Sequence, residues 1–175
     1  MEYQHYINET TLKVTAKDPK DGSIKCDMPL PHQKWDKQTH SWVYDLQEQL
    51  ETSKNKQIAE LSASCEAEII GGFQSDAHTT GAWYKSGRDD QLNIVGAKDT
   101  TIDLKWTQGI EADPINEPNV ITWTDEVLHT PTQLQQIFSD GLTHKYTQFT
   151  KYKTLKAQVN LETTDTLAKI EAIVW

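Results

Sequence analysis

The chain has 175 residues, 36% of them hydrophobic, and a formal net charge of -9, which is enough for one ordinary domain or a domain with a small appendage. The acidic balance and the lack of any Lys/Arg-rich run argue against a nucleic-acid binder, which needs a cationic face to displace counterions. No apolar run reaches the ~18 residues of a membrane helix, and the opening MEYQHYINET lacks the basic start and apolar stretch of a signal peptide, so the expectation is a protein folded in a cytoplasm without membrane insertion.

Residues 1–42 read as a small β-rich appendage. TLKVTA (11–16) and SIKCDM (23–28) alternate as strands do, and DPKDG (18–22) between them is turn chemistry. Trp35 and Trp42 flank the polar DKQTHS, a hairpin or tight loop pinned by a Trp pair. From 43 to 70 the period is helical: Val43, Leu46, Leu50, Ile58, Leu61, Cys65 and Ile69 recur at spacings of three and four, up to Gly71-Gly72. Its middle, ETSKNKQ (51–57), holds no large apolar residue. A helix that polar should bridge two parts, so 43–70 is expected to connect the appendage to a C-terminal domain, 71–175, packed on its end.

That domain opens on GGFQSDAHTTGAWYKSGRDDQLNI (71–94), which carries His78, Tyr84, Arg88, Asp89 and Asp90. The plain reading gives Ser75 and Asp76 to a turn, Tyr84 to packing, and Asp89 or Asp90 to the cap of a short helix with Leu92, Val95 and Ile94 on its apolar face. PNVITWTDEVLHT (118–130) reads as a β-hairpin turning at Asp125-Glu126. Thr130-Pro131 starts a second long helix. Leu134, Phe138, Leu142, Tyr146, Phe149, Tyr152, Leu155 and Val159 form its stripe, expected to pack on Ile58, Leu61, Cys65 and Ile69. Gly141 interrupts the stripe at a cost of about 1 kcal/mol relative to Ala, which marks a kink or a close contact. TDTLAKIEAIVW (164–175) closes the chain with a short helix. The fold class is α+β: a small β-rich N-terminal region, a long connecting helix and a mainly helical C-terminal domain with a β-hairpin.

Little in the chain has the spacing of chemistry. The histidines are His5, His32, His40, His78, His129 and His144; no pair is spaced i,i+4 and there is no CxxC, so neither a metal nor a cofactor is expected. Glu111, Asp113 and Glu117 are the carboxylates available for glycoside hydrolysis, but a solvated acidic loop accounts for them more simply. GxSxG and Gly-rich phosphate motifs are absent from the sequence, and no enzyme is expected. Cys26 and Cys65 read as two buried thiols. The Trp residues suit cores and interfaces. Trp35, Trp42, Trp83 and Trp106 are candidates for stacking on sugars, though packing in a core or a subunit interface is favoured. Trp35, Trp42, Trp83 and Trp175 are the candidate partner-interface residues.

Gly72-Phe73, Ser75-Asp76-Ala77, Tyr84-Lys85-Ser86 and Asp90-Gln91-Leu92-Asn93 follow one another in an order that resembles the DUF4376 domain of bacteriophage and prophage tail-fibre proteins. LHTPTQLQQIFSDG (128–141) and the closing LAKIEAIVW resemble later segments of that family, so the resemblance runs from about residue 54 to the end. TTGAW (79–83) is an insertion relative to the family's pattern. PLPHQKWDKQTHSWVYD resembles the Trp-bearing stretch that often precedes the domain in tail-fibre and fibre-assembly proteins. The resemblance implies a non-enzymatic structural component of a phage tail or tail fibre, made in the host bacterial cytoplasm and carried in the virion. Its partners would be other tail or tail-fibre proteins, in an oligomer or larger complex. Two alternatives remain: a tail-fibre assembly chaperone absent from the mature particle, and a receptor- or glycan-binding tail protein.

Overall fold

The computed structural model describes residues 5–8, 13–15 and 24–26 by their backbone, and residues 33–113, 117–161 and 164–175. It is α+β, with the N-terminal β region, the long helices and a sheet. Strands β1 (His5–Asn8), β2 (Lys13–Thr15) and β3 (Ile24–Cys26) form an antiparallel sheet in the order β2-β1-β3, with Ile7 opposite both Val14 and Ile24. Each of the two alternating segments therefore supplies a strand; the turn expected at 18–22 and His32 lie outside the described residues. Strands β4 (Gln33–Asp36) and β5 (Ser41–Tyr44) make the Trp hairpin, with Trp35 directly opposite Trp42.

Helix α1 (Leu46–Ile70) begins three residues later than its periodicity predicts, because Val43 belongs to β5 and Asp45 is the cap. The Asp45 carboxylate accepts from the Glu48 N–H at 3.2 Å, which satisfies one of the orphan donors of the first turn. The helix then runs unbroken through its polar middle. That middle touches the body: Gln57 Nε2 donates to the carbonyl of Ile173 at 2.6 Å. An amide at this position gives the C-terminal segment a partner that an apolar side chain would not.

The second sheet has the order β6-β7-β8-β9, from β6 (Phe73–Ser75), β7 (Ala82–Tyr84), β8 (Leu104–Asp113) and β9 (Glu117–His129). The hairpin expected within 118–130 is not there. Strand β9 passes straight through Asp125-Glu126, with Glu126 opposite Thr107, and its antiparallel partner is β8. Asp125-Glu126 lacks the Gly or Asn that a tight hairpin turn needs for positive φ, so the alternation simply continues. At Gly109 a Cβ would lie 2.3 Å from Ile121 Cγ2; only a residue without a side chain lets β9 cross there.

Helix α2 (Arg88–Ala97) joins β7 to β8, while α3 (Pro131–Val159) and α4 (Leu167–Glu171) follow β9. Thr130 caps α3 as expected, in a reciprocal box: its Oγ1 accepts from Gln133 N–H at 3.4 Å and Gln133 Oε1 accepts from Thr130 N–H at 2.8 Å. The core cluster, Phe73, Ala82, Tyr84, Ile94, Leu134 and Ile137, lies where β6 and β7 meet α2 and α3, with Trp106 and Phe138 packed against it. Helix α1 packs along α3, as the two stripes predict, and buries Leu61, Cys65 and Ile69. The α3 stripe is only partly core. Leu134, Ile137 and Val159 are buried, whereas Leu142, Tyr146 and Phe149 are exposed. At 3.6 residues per turn, steps of four advance roughly 40° each, so a series through 134, 138, 142 and 146 walks off the buried face.

Gly141 explains itself through its neighbour. A Cβ there would stand 2.9 Å from Phe73 Cζ and 3.1 Å from Cε1. The Phe73 ring lies against the α3 backbone, stacked between Tyr84 at 6.0 Å and His144 at 6.2 Å.

Candidate partner interface

The opening motif of the C-terminal region is a β-hairpin. Phe73 and Ser75 on β6, and Ala82 and Tyr84 on β7, face inward, while Gln74 faces solvent. Its loop is held by side-chain capping. Ser75 Oγ accepts from Ala77 N–H at 3.2 Å and donates to Asp140 Oδ2 at 2.5 Å, and Asp76 Oδ1 accepts from Gly81 N–H at 2.6 Å. Gly81 takes φ +70°, a value that glycine adopts without penalty. Of the two aspartates expected to cap α2, Asp90 does so: its Oδ2 accepts from the Gly87 N–H at 3.1 Å. Arg88 reaches out to Glu66 at 2.9 Å. The turn and packing roles expected of Ser75, Asp76 and Tyr84 are the roles these residues have.

The four candidate interface tryptophans occupy three separate places. Trp35 and Trp42 meet edge to face with ring centroids 5.2 Å apart, and both are half-buried. Their hairpin is closed by Asp36, which accepts from Gln38 N–H at 2.8 Å, and by His40 at φ 50°. The Gln38 N–H, chief among those contacts, holds the Asp36 carboxyl below the usual range. Asp45 is likewise lowered, by the Glu48 N–H and then by Lys34 at 3.2 Å. Trp83 is half-buried on β7 opposite Gln74 and Gly109, with its Nε1 buried and unpartnered among the described residues. Trp175 is half-buried with Lys151 Nζ 4.4 Å above its ring, a cation–π contact near the Gln57–Ile173 bond.

An apolar opening lies between α1, α2 and α3, and the sequence pointed there only indirectly. Ile69, Phe73, Ile94, Val95, Phe138 and Leu142 line a cavity of about 100 Å³. An adjoining cleft of about 360 Å³ is lined by Cys65, Ile70, Phe149 and Tyr152, and the two share Ile69, Gln91 and Lys145. Lys145 Nζ is bonded to Gln91 Oε1 at 3.2 Å across the shared part. Val95 and Leu142 are 50% and 42% exposed at its mouth. The apolar spacing along α3, longer than one buried face needs, is the signal the sequence carries for it. On the sheet, Trp123 is exposed beneath Lys85 Nζ at 4.9 Å, and Ile110 and Leu128 are also exposed.

The remaining candidate chemistry is scattered. Glu111 lies opposite Ile121, and Asp113 opposite Glu117 at the far end of the β8–β9 ribbon. His144 Nε2 is 3.0 Å from the Glu68 carbonyl. Among the described residues no three metal-binding side chains gather. Cys65 is buried, and burial pushes its thiol up from the ordinary range. His78 and His129, far apart in sequence, are brought together with ring centroids 4.8 Å apart. No described helix is long and apolar enough to cross a membrane.

The family described as Domain of unknown function (DUF4376) matches residues 52–174, and the chain belongs to it. The match starts inside α1 and leaves β1–β5 outside. No curated protein and no solved structure matches the chain.

Proposed function

We propose that this protein is a non-enzymatic structural component of a bacteriophage tail or tail fibre and works by protein–protein contact. The phage assignment rests on the resemblance of the motifs from Gly72 to Asn93 to tail-fibre proteins. The contact role is carried by one observation: the apolar cleft between α1, α2 and α3, open at Val95 and Leu142. An open apolar surface of this kind is stabilised by a partner. The Trp35–Trp42 hairpin, outside the family match, supplies a second, amphipathic surface.

Mass spectrometry of purified particles tests the reading. A structural component is present in stoichiometric amount and is lost from particles carrying Val95→Glu or Leu142→Glu, while the isolated variants stay folded. Absence from particles, with co-purification of a fibre protein from the host cell, would replace this reading with the assembly chaperone.

A further inference from the structure

We infer that the cluster of His129, Tyr84 and His78 is an acid-sensitive latch on the junction between β9 and α3. His129 is the last residue of β9, immediately before the Thr130 cap of α3. Its side chain and that of Tyr84 are both fully buried. His129 Nδ1 is 2.9 Å from the Val127 carbonyl, which can only accept, so Nδ1 carries the proton and donates. Nε2 is then the bare acceptor of the neutral ring, and the Tyr84 hydroxyl, 3.0 Å away, donates to it. The neutral imidazole therefore has both nitrogens satisfied, and the bond joins β7 to the end of β9.

A proton on Nε2 undoes this arrangement. The ring becomes a donor at both nitrogens, and Tyr84 must turn its own proton away inside a fully buried site. The new charge also faces the exposed ring of His78, 4.8 Å off, which disfavours it. The positive end of the α3 dipole begins at the next residue and adds to the penalty. The carboxylates on the packed elements make their hydrogen bonds elsewhere, not to His129. Asp140, on α3, holds Ser75 Oγ at 2.5 Å and Gln136 Nε2 at 2.7 Å, and Asp76 holds the Gly81 N–H. Burial lowers the His129 pKa from 6.5; the Val127 carbonyl opposes this and His78 adds to it. Burial, and then Asp140, pushes the Tyr84 hydroxyl up to about 12, so Tyr84 stays a neutral donor. The closed latch binds fewer protons than the open one. Its stability is fully present above about pH 6.5 and is lost as pH falls from there toward the lowered value.

Amide hydrogen exchange across 127–134, measured from pH 8 to pH 5 and corrected for intrinsic rates, tests the latch. The opening constant should rise below pH 6.5 by up to about tenfold per pH unit, the limit for one extra bound proton. His129→Gln should flatten that rise, and His78→Gln should reduce its total extent. Imidazole NMR of the unmodified protein should show His129 as the Nδ1–H tautomer, titrating below the ordinary 6.5. The inference is overturned if His129 titrates at or above 6.5, or if the rise persists in His129→Gln. Should His129→Gln not fold, the titration of the unmodified protein decides alone.

Discussion

Two helical glycines give opposite answers to the same substitution. Gly96 on α2 is exposed, and a Cβ there meets nothing within 4 Å. Gly96→Ala should therefore stabilise the protein by about 0.5–1 kcal/mol, through helix propensity and a less mobile unfolded chain. Gly141→Ala has the same gain available, and loses it. Its methyl would stand 2.9 Å from Phe73 Cζ, and the ring cannot swing aside freely because Tyr84 and His144 flank it. Phe73 is also 97% removed from solvent, with 3% of its surface exposed. Overpacking of this kind costs roughly 1–3 kcal/mol. Subtracting one variant from the other removes most of the propensity gain, so Gly141→Ala should be less stable than Gly96→Ala by about 1–3 kcal/mol. Urea denaturation with a shared m-value measures the difference. A gap below about 0.5 kcal/mol would show that Phe73 yields to a methyl and that the close approach is not a packing constraint.

Tyr84→Phe keeps the ring on Phe73 but leaves His129 Nε2 buried without its donor; it should cost about 1–3 kcal/mol near pH 8, read by denaturant titration. Phe149→Ala should cost only about 1–2 kcal/mol, well short of a fully buried Phe, because Phe149 is 39% exposed; a loss above 3 kcal/mol would place it in a closed core. Gln57→Ala should cost about 0.5–1.5 kcal/mol by removing the bond to Ile173, with faster hydrogen exchange in 167–175, whereas Lys56→Ala should stay within about 0.5 kcal/mol. Alkylation of Cys65, followed on its own peptide, should be slow in the native protein and rapid in urea, since the thiol is buried and its pKa raised.

Among the candidate interface residues, the Trp35–Trp42 pairing was legible in the sequence because a short polar loop between two aromatics leaves few other arrangements. The cleft between α1, α2 and α3 was not, because its lining comes from 65–70, 91–95 and 138–152, and only packing decides which of those apolar side chains stays open. The same division holds for the fold. Helix α3 was written locally, in Thr130, Pro131, Gln133 and the apolar period, because caps and backbone hydrogen bonds act within about four residues. The short alternating strands β2 and β3 were legible for the same reason. Strands β6 and β7, three residues each, are too brief to show a period. Strand β8 and the true partner of β9 depend on Gly109 passing under Ile121, a contact between chain positions that no local pattern encodes. Tyr84 and His129 are 45 residues apart; their residue types were plain in the sequence, but the buried bond between them, and the pH sensitivity it implies, exists only because the sheet closes against α3 and shuts water out.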